Sequence, residues 1–206
     1  KFTAGTLGKK KVAVLWRKDD WGVTAKDQYE KAFKEQGGTV VLSEGVVDDT
    51  KDFKPVLTKL KDANPDVIYM ALFYTDAAVL TQQAKQLGIA IPIVATGSLY
   101  NIQFLKLAQD SAEGLYMPTT FFPDGNPKSA DFAKRYKERY NVEADNFAAH
   151  AYDNALVLFE ALKKSDLTRK SIRDALAATK DFLGTTGVIT FDADRRVAKD
   201  FTWIRV

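Results

Sequence analysis

The sequence predicts an α/β fold: a doubly wound, mostly parallel sheet with extra helices and a C-terminal β-hairpin. Three observations predict it. Strand-like apolar runs alternate with amphipathic helices, the first four strand starts recur about 25 to 28 residues apart, and most helix boundaries carry a cap or a glycine. The first run, Val12 to Trp16, ends in the tip Arg17-Lys18-Asp19-Asp20-Trp21-Gly22. The helix after it carries Ala25, Tyr29 and Phe33 on one face and stops at Gly37-Gly38, since glycine tolerates the left-handed cap.

Thr39 to Leu42 reads as the second strand. Asp49 or Thr50 is the expected N-cap of the next helix, whose Phe53, Val56, Leu57 and Leu60 fall at i, i+3, i+4 and i+7 before Asn64-Pro65 stops it. Asp66 to Ala71 is the third strand, with the tip Leu72-Phe73-Tyr74-Thr75-Asp76. Its helix opens at Thr75 or Asp76, places Ala77, Leu80, Ala84 and Leu87 on one stripe, and ends at Gly88. Pro92 to Ala95 is the fourth strand, with the tip Thr96-Gly97-Ser98-Leu99-Tyr100, and Gly114 to Met117 is a short fifth. Pro118 to Gly125 then reads as a crossover or hinge.

After it the alternation breaks. Helices are expected over 129–140, 146–163 and 171–178, the middle one apolar on most of its circumference. Gly187 to Phe191, a turn at Asp192-Ala193-Asp194-Arg195, and Asp200 to Val206 read as the closing hairpin.

Composition narrows the function classes. With 206 residues and 46% of them apolar, the chain can bury a substantial core. No stretch approaches the roughly 18 apolar residues of a membrane helix, no signal peptide opens the chain, and a soluble, not membrane-embedded molecule is expected. The 30 basic and 27 acidic residues are dispersed, so no basic stripe points to nucleic acid. Lys9-Lys10-Lys11, the one basic run, reads as a solvated approach to the first strand. The absence of cysteine excludes disulfides and thiolate metal sites and leaves the compartment open.

Val12-Ala13-Val14-Leu15 with Asp20-Trp21-Gly22, Asp52-Phe53, Asn64-Pro65-Asp66-Val67-Ile68, Gln82 to Gly88 and Ala112-Glu113-Gly114-Leu115-Tyr116 together carry a resemblance. They resemble the leucine/isoleucine/valine-binding family of type I solute-binding proteins. Tyr136 to Tyr140, Ala151-Tyr152-Asp153-Asn154-Ala155 and Gly184 to Asp192 extend the likeness to the C-terminus. Only the C-terminal half of a family member is matched. The resemblance implies a two-lobed solute-binding component of an ABC uptake system, periplasmic or extracellular and lipid-anchored in a Gram-positive host. Its partners are a small-molecule solute and a membrane permease, with no cofactor and no metal.

On that reading residues 1–122 form the second, solute-binding lobe. Residues 123–183 are a helical segment that packs on a first lobe this chain lacks, and 184–206 return as a hairpin to the solute-binding lobe. The apolar face around Ala151, Ala155, Leu158, Phe159 and Leu162 then expects cover from a second copy of the chain, as a homodimer, or from a rearranged docking.

The family places an aromatic ring, more often tyrosine, just after the first strand of this lobe, which falls on Trp21. The alternative for Trp21 is packing against its own helix. A second aromatic follows the third strand, on Phe73 or its neighbour Tyr74, of which alternation sends one to the ligand and the other to the core. Thr96, Gly97 and Ser98 match the loop where amino-acid-binding members present an acidic residue to the ligand ammonium, and no acid stands here. A buried ammonium without a counter-charge costs several kcal/mol, so the site suits an uncharged or anionic organic solute, such as an aromatic or aliphatic carboxylate, better than an α-amino acid. Asp20 and Asp76 are the acids that can substitute, although both read first as helix caps.

Three other classes compete. A ligand-sensing receptor ectodomain has the same fold and differs only in its neighbours. A flavodoxin-like enzyme finds no dinucleotide fingerprint, phosphate loop or nucleophile elbow, and the single histidine, His150, lies inside the apolar helix as a structural residue. A phospho-receiver needs an aspartate at the end of the third strand, where Ala71-Leu72-Phe73 stand.

Overall fold

A short π-type turn at Phe2–Thr6 precedes β1 (Lys11–Arg17), α1 (Asp20–Glu35), β2 (Thr39–Val46), α2 (Lys54–Ala63), β3 (Val67–Ala71), α3 (Tyr74–Gln86), β4 (Ile93–Ala95), α4 (Ile102–Ala108) and β5 (Tyr116–Thr119). Then follow α5 (Pro127–Tyr140), α6 (Asn146–Lys163), α7 (Arg169–Ala177), β6 (Phe182–Gly184), β7 (Gly187–Ile189) and β8 (Thr202–Arg205). This is a computed structural model that describes residues Lys1–Val206. The chain divides into two units, Lys1–Pro118 with Trp203–Val206, and Thr119–Thr202.

The first unit is built on a six-stranded sheet of order β2-β1-β3-β4-β5-β8, in which β1 through β5 pair in parallel. Period-two alternation sorts its side chains. Val12 and Val14 join Val67, Tyr69 and Val94 on the face covered by α1, while Ala13 and Leu15 join Ile68 and Met70 on the other, against Leu57 and Leu60 of α2, Leu80 of α3 and Phe104 of α4. Both faces being covered, every residue of β3 is buried, as a central parallel strand requires. Each fully buried leucine or phenylalanine contributes about 1.5–3 kcal/mol of apolar transfer energy. On the α1 face Tyr29 stacks on Tyr69 with centroids 3.6 Å apart and donates to Thr3 Oγ1 at 3.1 Å, and burial pushes its phenol up to about 12.

The strand order reverses between β1 and β3, so their carboxyl ends flank the crevice where ligands of doubly wound sheets bind. Opposite them, the Asp66 carboxylate accepts from Lys10 N (3.1 Å) and Lys11 N (2.9 Å), which holds its pKa below the usual range and fixes where β1 begins.

Several boundaries differ from expectation for local reasons. Asp19, not Asp20, caps α1 by accepting from Gly22 N at 2.7 Å. The α2 cap is neither Asp49, whose φ is +60°, nor Thr50. Phe53 occupies that position with no side-chain cap, and Pro55 in the first turn leaves one fewer amide to satisfy. α3 opens one residue early, at Tyr74, and Asp76 caps nothing.

The expected C-terminal pairing is replaced. Gly187–Ile189 pairs antiparallel with Phe182–Gly184, because Thr185-Thr186 turn tightly over a buried carboxylate, and the Asp192 to Arg196 turn closes only a single bridge, Phe191 to Val197. The strand expected at the C-terminus forms, as β8, but it joins the six-stranded sheet beside β5. By its internal contacts the chain divides at Pro118 and Thr119, and Trp203–Val206 group with the first unit.

The second unit is organised around Asp153 of α6. Its carboxylate accepts from Thr185 N (2.7 Å), Thr186 N (2.8 Å) and Thr186 Oγ1 (2.6 Å), and Lys199 Nζ donates in turn to Thr186 Oγ1. On the outer face of α6, Phe147, Leu158 and Phe159 are 51%, 40% and 55% exposed.

His150 is half-buried and its Nε2 lies 2.8 Å from Thr120 Oγ1. Burial first, and then Lys199, lower its pKa. A depressed folded pKa means the unfolded chain takes the proton first, so stability is full above about pH 6.5 and is lost as pH falls through the folded pKa. Urea melts from pH 7.5 to 5 are expected to show this decline in the natural chain and a flatter profile in His150→Gln.

Candidate functional site

The tips of β1, β3 and β4 carry the residues singled out in the sequence. Trp21 sits in the first turn of α1, and Phe73 is the residue before α3, with an extended backbone (φ −85°, ψ 165°). The two rings stack, centroids 4.8 Å apart and planes 14° from parallel. Both are only partly buried. Trp21 thus meets Phe73 of the β3 tip and also packs against the core under α1, beside Ala25 and Tyr29.

Tyr74 does not join the pair. One residue further on, it opens α3 and packs against the core under α2, α3 and α4.

The β4 loop is tied to the β3 tip. Ser98 Oγ donates to the Leu72 carbonyl at 2.9 Å, and Thr96 Oγ1 lies 2.6 Å from Ser98 Oγ. A carbonyl can only accept, so the single Ser98 proton is committed to Leu72 and Thr96 must donate to Ser98. Both hydroxyl protons are used within the loop, which leaves lone pairs. Gly97 opens the 3₁₀ turn between them and contributes no side chain.

Neither acid that can substitute for a ligand carboxylate lies in this loop. Asp20 is exposed at the start of α1. Asp76 is 2% exposed with Oδ2 unpaired, and burial first, then the charge of Asp48, raises its pKa.

The residue that sequence reading missed is Arg17. Its guanidinium lies over the Phe73 ring, 5.1 Å from the centroid, with Nε 2.5 Å from Asp19 Oδ2 and Nη1 on Asp48 Oδ1. The available signal was an arginine two residues before an acid at a strand tip. Its second acid, Asp48, is 31 residues away and visible only through parallel pairing of β1 with β2.

No grouping of three or more acidic or histidine side chains is placed to hold a metal, and no helix is long and apolar enough to cross a membrane. Two stacked rings and two hydroxyls with free lone pairs thus lie at the carboxyl edge of the sheet, beside the point where the strand order reverses.

The chain belongs to the periplasmic binding protein family, whose model matches residues 1–206. It is 27% identical over 195 residues to the leucine-, isoleucine-, valine-, threonine- and alanine-binding protein of Pseudomonas aeruginosa, covering 93% of this chain and 52% of that protein. The chain thus spans about half the length of the curated relatives it matches. Among solved structures it is similar to the leucine-binding protein LivK of Thermotoga maritima, with TM-score 0.94 and 28% identity over all of this chain and 59% of the other. It is also similar to LivJ of Streptococcus pneumoniae in complex with isoleucine, with TM-score 0.88 and 30% identity over 100% and 59% of the two chains. The type I fold and the likeness to leucine/isoleucine/valine-binding proteins hold across the whole chain, and these relatives are solute-binding proteins, not enzymes.

Proposed function

We propose that the first unit is one wall of a solute site in a periplasmic or extracellular binding component of an ABC uptake system, which delivers a small organic solute to a membrane permease. The observation that carries this is the Trp21–Phe73 stack beside the Thr96 and Ser98 lone pairs at the carboxyl edge of the sheet. The rings take the solute's apolar body. The hydroxyl oxygens accept from an N–H or O–H on its polar end. With no acid in the loop, an uncharged donor is preferred there over an ammonium, and a solute carboxylate is directed away from Thr96 and Ser98. Pro118 to Pro123, where the chain leaves the first unit, serves as the hinge strand.

Thermal melts of the chain against L-leucine, L-isoleucine, benzoate and 4-hydroxybenzoate test this, because binding to the folded state raises the midpoint by mass action. The expected result is a concentration-dependent rise that is larger for 4-hydroxybenzoate than for either amino acid. A larger rise with the amino acids overturns the solute class, and no rise with any of them at millimolar concentration overturns the wall itself.

A further inference from the structure

We propose that Arg17 is a positioning residue that sets the angle and separation of the Trp21 and Phe73 rings, and that it does not itself bind the solute. Three contacts converge on its guanidinium: the face of Phe73, the Asp19 carboxylate on Nε and the Asp48 carboxylate on Nη1. Asp19 has a second task, since its other oxygen accepts from Gly22 N at 2.7 Å and caps the helix turn that bears Trp21. One carboxylate thus joins the support of one ring to the start of the helix carrying the other. Asp48 adds the third tip, and Lys18 N, bonded to the Val46 carbonyl at 2.8 Å, holds β1 and β2 together beneath it. A planar, always charged fork suits this role: it stacks on a ring and bonds two acids at once, which an ammonium on a flexible stem does not.

Charge balance excludes the alternative role. Two carboxylates already bond the guanidinium, so the cluster carries net negative charge, and a solute carboxylate approaching Arg17 meets Asp19 and Asp48 as well. The side chain is also mostly buried, at 20% exposure. It supports the wall from behind.

The inference rests on the reading of Trp21 and Phe73 as a solute wall, but its test needs no solute, so the two fail separately. In a chain whose other tryptophans are changed, Trp16→Phe with Trp203→Phe, acrylamide quenching reports on Trp21 alone. Arg17→Ala and Arg17→Lys are each expected to raise the quenching constant at least about twofold, with the second unit still folded. If that background does not fold, the near-UV circular dichroism of Arg17→Ala in the natural chain is compared with that of Trp21→Phe, and both are expected to lose the same band. Unchanged Trp21 quenching in Arg17→Ala, or full rescue by Arg17→Lys, overturns the proposal and leaves Arg17 as a plain tie between two loops.

Discussion

Replacing Asp153 with alanine is expected to unfold the second unit or leave it marginal. The carboxylate is fully buried and accepts three hydrogen bonds from Thr185 and Thr186, so its removal strands three donors, and it takes away the negative charge nearest the half-buried Lys199, which bonds Thr186. Breaking a buried charged network of this kind costs about 3–5 kcal/mol, against a total stability of about 5–15 kcal/mol for a domain. Asp153→Asn keeps one accepting oxygen but turns an amide toward donors, and is expected to lose about half as much. Gly184 belongs to the same construction, because a Cβ there would lie 2.5 Å from Asp153 Oδ2. Urea titration followed by far-UV circular dichroism measures the loss. A change below about 1 kcal/mol for the alanine variant would mean the threonine turn finds other acceptors.

Gly22→Ala is expected to damage the site more than any other change that leaves the rings chemically intact. The helix carrying Trp21 approaches the end of β1 so closely that a Cβ at position 22 would sit 1.9 Å from the Arg17 carbonyl oxygen and 2.8 Å from its carbon. Backbone on both sides cannot rotate out of the way, so the first turn of α1 must lift. The strain costs about 3 kcal/mol, the upper part of the range for overpacking. The same displacement breaks the Asp19 cap at Gly22 N and separates Trp21 from Phe73, forfeiting an aromatic contact of about 0.5–1.5 kcal/mol. Thermal melting together with the Trp21 quenching described above checks both halves. A variant as stable as the natural chain, with Trp21 still shielded, would show that the turn relaxes without cost.

Much of this architecture was legible in the residues themselves. Apolar alternation placed β1, β3 and β4 to within about two residues, and glycine and proline punctuation placed the helix ends, because these signals are local. Trp21 stands out in the sequence as a ring at a strand tip next to a glycine, and in the fold it both stacks on Phe73 and packs against the core under α1. What depended on partners distant in sequence was not legible. The Asp19 cap and the Phe53 start of α2 are choices among neighbouring polar residues that the fold makes. The 200–206 strand looks like half of a hairpin in sequence, yet hydrogen-bonds into the sheet beside β5, with Gly114 N and Val206 N completing the join. Arg17 was the largest omission, because its role needs Asp48 and Phe73 from two other tips. Phe73 and Tyr74 are adjacent rings that only their partners tell apart: Phe73 meets Trp21 and Arg17, and Tyr74 packs against the core under α2, α3 and α4.

The central claim is that the Trp21–Phe73 wall holds a solute. Isothermal titration of the natural chain and of Trp21→Ala, with the solute that raises the melting midpoint most, tests it most directly. Loss of one stacked indole is expected to weaken binding about 10- to 100-fold, while Tyr74→Phe, altered in the core behind the wall, binds as the natural chain does. Equal affinity in Trp21→Ala and the natural chain would contradict the account and place the solute elsewhere.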